Sequence, residues 1–135
     1  MMGDDRGSVT AEVLLLTTLL IVLALFAVAA GRLVTARLEV NNASHQAARA
    51  ASIARTPAAA ESAARKATEM ALGAERVTCA DRRVSIGLAS FRPGGTVTVS
   101  VTCTVKLSDV ALVRLPGSSA LTASFSAPID YWRSN

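Results

Sequence analysis

One carboxylate stands at the edge of a long apolar stretch. Glu12 directly precedes the run from Val13 to Gly31, which carries no formal charge. A carboxylate next to the hydrocarbon region of a bilayer is costly and usually has a partner of opposite charge. Because the run offers no cation, Glu12 predicts an ion pair with a group outside it.

Two cysteines are the next residues that could react with each other. Cys103 lies on the apolar side of an alternating segment, and Cys79 shares the phase of Val77, so we expect both side chains on one face. In an exported domain such a pair forms a disulfide, and a bridge closing this loop contributes about 3–4 kcal/mol to stability. Two buried thiols are the alternative interpretation.

The remaining polar residues do not form a catalytic set. His45, the single histidine, lies in an alanine-rich helical pattern, where a solvated side chain is expected. Two cysteines and one histidine lack the spacing of zinc ligands. Asp81, Asp109 and Asp130 are isolated in the sequence, so no carboxylate pair indicates acid–base catalysis. We therefore expect no enzyme activity, no cofactor and no metal.

Composition limits the chain to one small domain beside the apolar run. The 135 residues are 51% hydrophobic but only 4% aromatic, and the net charge is +4. The arginines are scattered and have no aromatic residues interleaved with them. This pattern does not indicate a nucleic-acid surface, so nucleic acid is not an expected partner.

The apolar run is long enough to cross a membrane. From Val13 through Leu20 and Phe26 to Gly31 it spans about 28 Å as a helix. A secretory signal peptide cut after Ala27-Val28-Ala29 is one interpretation, although the leader has two aspartates and a single arginine. A plain membrane anchor is the second interpretation. Neither gives Glu12 a role.

The residues around Glu12 support a third interpretation. The stretch Arg6-Gly7-Ser8-Val9-Thr10-Ala11-Glu12 resembles the class III signal of type IV pilins and pseudopilins. The resemblance implies that a prepilin peptidase cuts after Gly7 and leaves Ser8 as the new N-terminus. Glu12 would then pair with the α-ammonium of Ser8 in a neighbouring subunit. Two charges satisfied only by a partner would set the stagger of an assembly.

Helical patterns extend well beyond the membrane segment. One helix is predicted from Ser8 to about Arg55, with Asn41-Asn42 as its softest point. Thr56-Pro57 is typical of a helix start, with threonine as N-cap and proline in the first turn. A second helix should follow from Pro57 to Leu72 and end at Gly73. The sequence leaves open whether Pro57 breaks the chain into two helices or kinks one.

After Gly73 the pattern alternates as in a sheet. Four strands are predicted, at 76–80, 83–89, Thr96–Ser108 and Leu121–Ile129. In the longest, valines and Cys103 alternate with threonines and serines, which indicates an antiparallel sheet with one dry face.

The connections and the C-terminus supply further candidates for the core. In the loop before the last strand, Leu112, Val113 and Leu115 are expected to pack under the sheet. Tyr131 and Trp132 either cover an open end of the core or form a contact patch. Core cover is the favoured interpretation.

These elements predict an α+β, pilin-like fold, with a long N-terminal helix, transmembrane in its first half, and a small antiparallel β-sheet. The predicted divisions are a leader peptide at 1–7, a transmembrane helix at 8–31, an extracytoplasmic helical stalk at 32–73 and a β domain at 74–135. The pilin-type start, the alanine–arginine helix at Ala43–Ala54 and the threonine- and valine-rich strands are together similar to the TadE/TadG family of pseudopilins.

The resemblance implies a minor pilin or pseudopilin, a structural or assembly subunit of a tight-adherence (Flp-type) pilus or related secretion apparatus. Its partners would be the membrane, other pilins through the N-terminal helix, the prepilin peptidase and the pilus assembly platform. The alternative is a signal-anchored cell-surface binding module that no prepilin peptidase processes.

The resemblance also implies an orientation in the membrane. The protein would be single-pass in the inner (cytoplasmic) membrane, with its N-terminus cytoplasmic and its C-terminal domain extracytoplasmic, at the cell surface or in a pilus. Arg32 and Arg37 follow the span and by charge alone favour the opposite orientation. Large domains are translocated largely regardless of such charges, so we keep the orientation that the pilin-type signal implies.

Overall fold

A single long helix begins near the N-terminus. The computed structural model describes residues 5–74, 78–111 and 114–132, with side chains from Val9 onward. Helix α1 (Asp5–Ile53) has 49 residues and continues through Asn41-Asn42 without a break. Its interior has no proline and many alanines, which favour a helix. At 1.5 Å per residue α1 is about 70 Å long.

The chain reverses direction directly after α1. Helix α2 (Pro57–Ala74) starts where the Thr56 hydroxyl accepts a hydrogen bond from the Ala59 amide at 3.2 Å. The predicted N-cap is therefore confirmed. Because α2 packs back along α1, Pro57 marks a true break between two helices and the pair forms an αα-hairpin.

Small side chains line the contact between the two helices and the sheet. In α1 the buried residues recur at helical spacing, and a matching stripe in α2 faces them. They are Ala36, Val40, Ala43, Ser44, Ala47, Ala48 and Ala51 in α1, and Ala60, Ala64, Thr68 and Leu72 in α2. The Ser44 and Thr68 hydroxyls donate to carbonyls of their own helices, at 2.7 and 2.9 Å, so neither is buried unsatisfied.

The sheet has three antiparallel strands in sequence order. Strand β1 (Asp81–Gly87) pairs with β2 (Thr96–Lys106), and a helical turn, α3 (Leu107–Val110), leads from β2 to β3 (Ser118–Pro128). Strand β3 pairs with β2 along its whole length. The predicted α+β fold, a long helix plus a small antiparallel sheet, is confirmed.

One face of the central strand forms the floor of the core. All the predicted inward residues of β2 from Val97 to Val105 are buried, as the strict alternation indicated. They belong to the same cluster as the buried residues of α1 and α2. The division of the chain at residue 74 stays a prediction, and the core includes residues on both sides of it.

Two of the predicted strands have different bounds in the structure. Of the strand predicted at 76–80, Arg76 and Val77 lie outside the described residues, and Thr78 to Ala80 is not a strand. The Ala80 amide donates a backbone hydrogen bond to the Thr104 carbonyl at 2.7 Å, where the chain enters the sheet. The strand predicted at 83–89 is β1, which begins and ends two residues earlier.

Differences at the other two strands arise at their ends. Strand β2 ends at Lys106, two residues before the predicted Ser108, because the helical turn α3 begins at Leu107. The Ala111 amide donates to the Leu107 carbonyl at 2.8 Å and closes that turn. Strand β3 begins at Ser118, three residues earlier than predicted, and ends one residue earlier.

Two expectations about the core are wrong. Leu115 is 50% exposed and does not pack under the sheet, whereas Leu112 and Val113 lie outside the described residues. Tyr131 and Trp132 are 79% and 97% exposed, so they do not cover the core.

Ile129, which is buried, closes that end of the core instead. Two backbone hydrogen bonds hold it: the Gly94 amide donates to its carbonyl at 3.0 Å, and its own amide donates to the Gly95 carbonyl at 2.9 Å. Gly94 has a φ of 74°, a conformation that glycine adopts without strain, so the turn can reach Ile129. The two aromatic residues are consequently left outside.

A disulfide joins the chain segment after α2 to the central strand. Cys79 and Cys103 are bonded, with their Cα atoms 5.3 Å apart, so the predicted disulfide is confirmed, although Cys79 lies in the segment before β1 and not on a strand. Cys103 is fully buried on the inner face of β2. The bridge closes a loop across 24 residues of sequence and joins the segment after the C-terminal end of α2 to the sheet.

We expect removal of this bridge to lower the free energy of unfolding by about 3 kcal/mol, because the unfolded chain regains the entropy of the open loop. Pulse proteolysis in urea on the full chain in detergent measures the change, for the wild type with and without reductant. The Cys79→Ala/Cys103→Ala double variant is the control, since its stability should not respond to reductant. Equal stability of the oxidised and reduced wild type would contradict the expectation.

Candidate functional site

The first half of α1 projects from the domain without covering any of its core. Among the described residues one helix, α1, is long and apolar enough to cross a membrane, and its most apolar stretch is entirely unburied. Large apolar side chains are exposed all around it: Val13, Leu14, Leu15, Leu16, Leu19, Leu20, Ile21, Val22, Leu23, Leu25, Phe26 and Val28. A helix that is apolar on every side needs an apolar surrounding, which a bilayer or neighbouring helices supply.

The hydroxyls within this segment are compatible with that surrounding. Thr17 donates to the Val13 carbonyl at 2.7 Å, and Thr18 donates to the Leu14 carbonyl at 2.9 Å. Each hydroxyl is thus satisfied inside its own helix and needs no water. The predicted span at 8–31 therefore contains no side-chain donor that a hydrocarbon environment would leave unpaired among its described residues.

The predicted processing and assembly residues lie in the first turns of α1. Gly7 and Ser8 belong to the helix, and Glu12 follows one turn after Ser8 with its side chain exposed. The side chains of residues 5–8 lie outside the description. The hypothesis places the ion pair between Glu12 of one subunit and Ser8 of another. Both this pair and the cut after Gly7 stay predictions.

Beyond the apolar run, α1 has two different faces. One packs on the domain through Ala36, Val40 and the residues that follow them. On the opposite face Val34 and Leu38 are 59% and 62% exposed. Gly31 precedes them toward the membrane, at the edge of a cleft that Ala36 also lines, and a Cβ atom built on it would meet no described side chain within 4 Å.

Gly31 is also the second member of the small-residue pair that starts at Ala27. Small residues at this spacing let two membrane helices approach closely. The outer face of α1 is thus free for another helix both inside the span and just after it.

His45 lies where the sequence placed it, exposed on α1, but it has a contact that the sequence did not indicate. Its ring centre is 3.9 Å from that of Phe125 on β3. The contact helps position α1 over the sheet. Among the described residues no group of three or more His, Cys, Asp or Glu is placed to hold a metal ion.

A cleft of about 610 Å³ opens where α1 meets the near end of the domain. Arg32, Glu39 and Asp109 contribute charges to its wall, and Val28 and Val110 contribute apolar surface. The wall of the cleft thus combines one cation and two carboxylates with apolar residues.

Family comparison bears on the segment just described. A family model described as TadE-like protein matches residues 7–49. Over this N-terminal third the chain is similar to TadE-like proteins. The resemblance predicted from the sequence is confirmed, and it links the chain to the tight-adherence pilus system. No curated protein and no solved structure is significantly similar to the chain.

The TadE-like match lies entirely within helix α1. It begins at Gly7, includes Glu12 and the whole apolar run, and ends within the part of α1 that packs on the domain. The strands and α2 lie outside it. The apolar helix is consistent with membrane anchoring of a pilus-system protein.

Charges placed in the span should prevent membrane anchoring of the TadE-like segment. We expect Leu20→Arg/Leu23→Arg to move the protein out of the carbonate-resistant membrane fraction, because each arginine near the centre of a span costs about 2.5–3.5 kcal/mol. Val34→Arg/Leu38→Arg is the matched control, since these residues are similarly exposed on the same helix but lie beyond the run. Loss of anchoring by both variants would contradict the assignment of the span.

Proposed function

We propose that the chain is a minor pilin or pseudopilin, a structural or assembly subunit of a tight-adherence (Flp-type) pilus or related secretion apparatus. The observation that carries the proposal is the TadE-like match, which starts at Gly7 and runs through the projecting helix to residue 49. The proposal assigns no catalytic role to the chain and needs no cofactor.

The shape of α1 supports an assembly role. Its first half is apolar on all sides, and its outer face stays apolar at Val34 and Leu38 beyond the span. A helix that only anchors a domain has no need of an apolar outer face after it leaves the membrane. A helix that packs beside others along its length does, so we infer that other pilins contact α1 on this face.

Glu12 supports a specific registration of those helices. It is the single acidic residue of the TadE-like segment before Glu39, and the apolar run follows it directly. After cleavage by a prepilin peptidase, the α-ammonium of Ser8 in a neighbouring subunit would supply the opposite charge. The leader would then be cytoplasmic, with the C-terminal domain on the other side of the inner membrane, where the disulfide is stable.

A signal-anchored surface module is the second candidate, and one observation favours it. Trp132 stands exposed at the end of the domain where α1 and β3 finish, beside Ile53, which is also exposed, and Tyr131 precedes it and is exposed as well. Exposed aromatic residues are frequent in binding surfaces. In this alternative the chain would keep its leader, and the patch would bind a target at the cell surface.

Gly7→Leu tests processing. The proposal predicts that wild-type protein from membranes of the native host begins at Ser8, whereas the variant keeps its leader and still inserts, because the substitution changes the cut and not the span. N-terminal sequencing and intact mass measure both. A wild-type chain that begins at Met1 would favour the surface module, and one that begins after Ala29 would indicate a secreted domain.

Glu12→Ala tests assembly. We expect the variant to insert and be processed normally but to be lost from sheared pilus or apparatus fractions, because its neighbour's ammonium would have no counter-charge. Immunoblots of membrane and sheared fractions measure the distribution. Glu61→Ala, which removes an exposed carboxylate of α2, is the control and should assemble normally. Normal assembly of Glu12→Ala would argue against the ion pair.

A further inference from the structure

Contacts at three positions along α1 show the direction of the strands relative to this helix. Near the start of the packed part of α1, Ala36 and Glu39 share a cleft wall with Val105, which pairs with Ser119 at the beginning of β3. Further along, His45 contacts Phe125. At the end of α1, Ile53 lies beside Pro128, the last residue of β3. Strand β3 therefore runs in the same direction as α1.

Both edges of the sheet share this direction. Strand β2 is antiparallel to β3, and β1 is antiparallel to β2, so β1 is also parallel to α1. In copies anchored in one membrane with the same orientation, all α1 helices point the same way. Two β3 edges, or two β1 edges, would then have to pair with themselves in parallel, which a two-fold symmetric contact cannot provide. A β3 edge can instead pair in parallel with the β1 edge of the next copy.

The β3 edge lacks the usual protection against pairing. Its 11 residues include no charged side chain, and its only proline is Pro128 at the very end. Exposed edges of this length normally carry charges, prolines or bulges that prevent association with other strands. On β1, charges are confined to Asp81, Arg82 and Arg83, and the rest of the strand is uncharged.

The two edge strands also have matching residues at the same position along the strand direction. Ser85 on β1 and Ser124 on β3 both pair with Ser100 of the central strand, so they lie at the same level of the domain. On the outer face the Ser100 hydroxyl donates to Ser124 at 2.9 Å. Copies held at equal depth in a membrane would bring Ser124 of one beside Ser85 of the next and extend this hydroxyl row.

The helix layer permits the same arrangement. Helix α1 lies over β3 and β2, whereas α2 reaches β1, where Arg82 and Glu69 form an ion pair at 3.8 Å. Joining β3 to the next copy's β1 therefore places α1 beside the next copy's α2. The helices would continue to cover the inner face, as a sheet with a parallel pair requires.

We propose that neighbouring copies of this chain associate side by side in the membrane through parallel pairing of β3 with the next copy's β1, with Ser124 opposite Ser85. The proposal rests on the proposed membrane anchoring and adds a second contact, in the β domain, to the helix contacts of a pilin. The contact is head-to-tail, so it forms a row or a ring of copies and not a closed dimer.

Cysteine cross-linking between two tagged copies tests the contact. Ser124→Cys with one tag and Ser85→Cys with another are co-expressed as full-length chains and oxidised in intact native membranes. We expect a cross-linked species that carries both tags, and none when either variant is expressed alone, because paired strands bring Cα atoms within the range of a disulfide. Cross-links from Ser124→Cys alone would overturn the proposal, since they require β3 to contact β3.

Ser124→Cys with Asp81→Cys is the control for register. Position 81 lies four residues along β1 from position 85, about 13 Å away, so this pair should not cross-link. Cross-linking here and not at 85 would overturn the equal-height register. Thr122→Cys with Arg83→Cys repeats the test in case a serine variant fails to fold. Both positions pair with Thr102, two residues along the strands from Ser100.

The same membranes separate this proposal from the proposed function. Protein that begins at Ser8 but gives no two-tag species from either matched pair would overturn edge pairing and leave the pilin assignment intact. A two-tag species formed by protein that begins at Met1 would support edge pairing and count against processing.

Discussion

Close packing of small side chains between α1, α2 and the sheet determines how this domain is built. Alanine dominates the buried face of both helices, so the helices can approach the flat inner face of valines on β2. Among the described residues valine is the largest side chain that is fully buried. The buried serine and threonine are tolerated because their own helices accept their hydroxyl protons.

The same packing explains why α1 can serve two environments. Its inner face, from Ala36 onward, is buried against the domain. The preceding apolar segment and the outer face at Val34 and Leu38 remain exposed. The domain thus forms one end of a helix whose remaining apolar surface is available to lipid or to other helices. The disulfide joins the segment that follows α2 to the central strand of the sheet.

Much of this was predictable because the signals are periodic. The two helices, the Thr56 cap and the alternation along β2 all follow from local patterns. Prediction failed where non-local hydrogen bonds decide. Ile129 and not Trp132 closes the core because backbone bonds to Gly94 and Gly95 hold it there. The direction of β3 relative to α1, on which the edges depend, also has no local signature.

That shared direction has a mechanical consequence. A subunit held by its membrane helix and pulled through its sheet is loaded along the axis of α1, which is also the axis of the strands. Hydrogen bonds of an antiparallel ladder lie across this axis, so such a load shears the whole ladder together and does not open it one bond at a time. The 11-residue β2–β3 ladder is therefore oriented to resist tension along the helix.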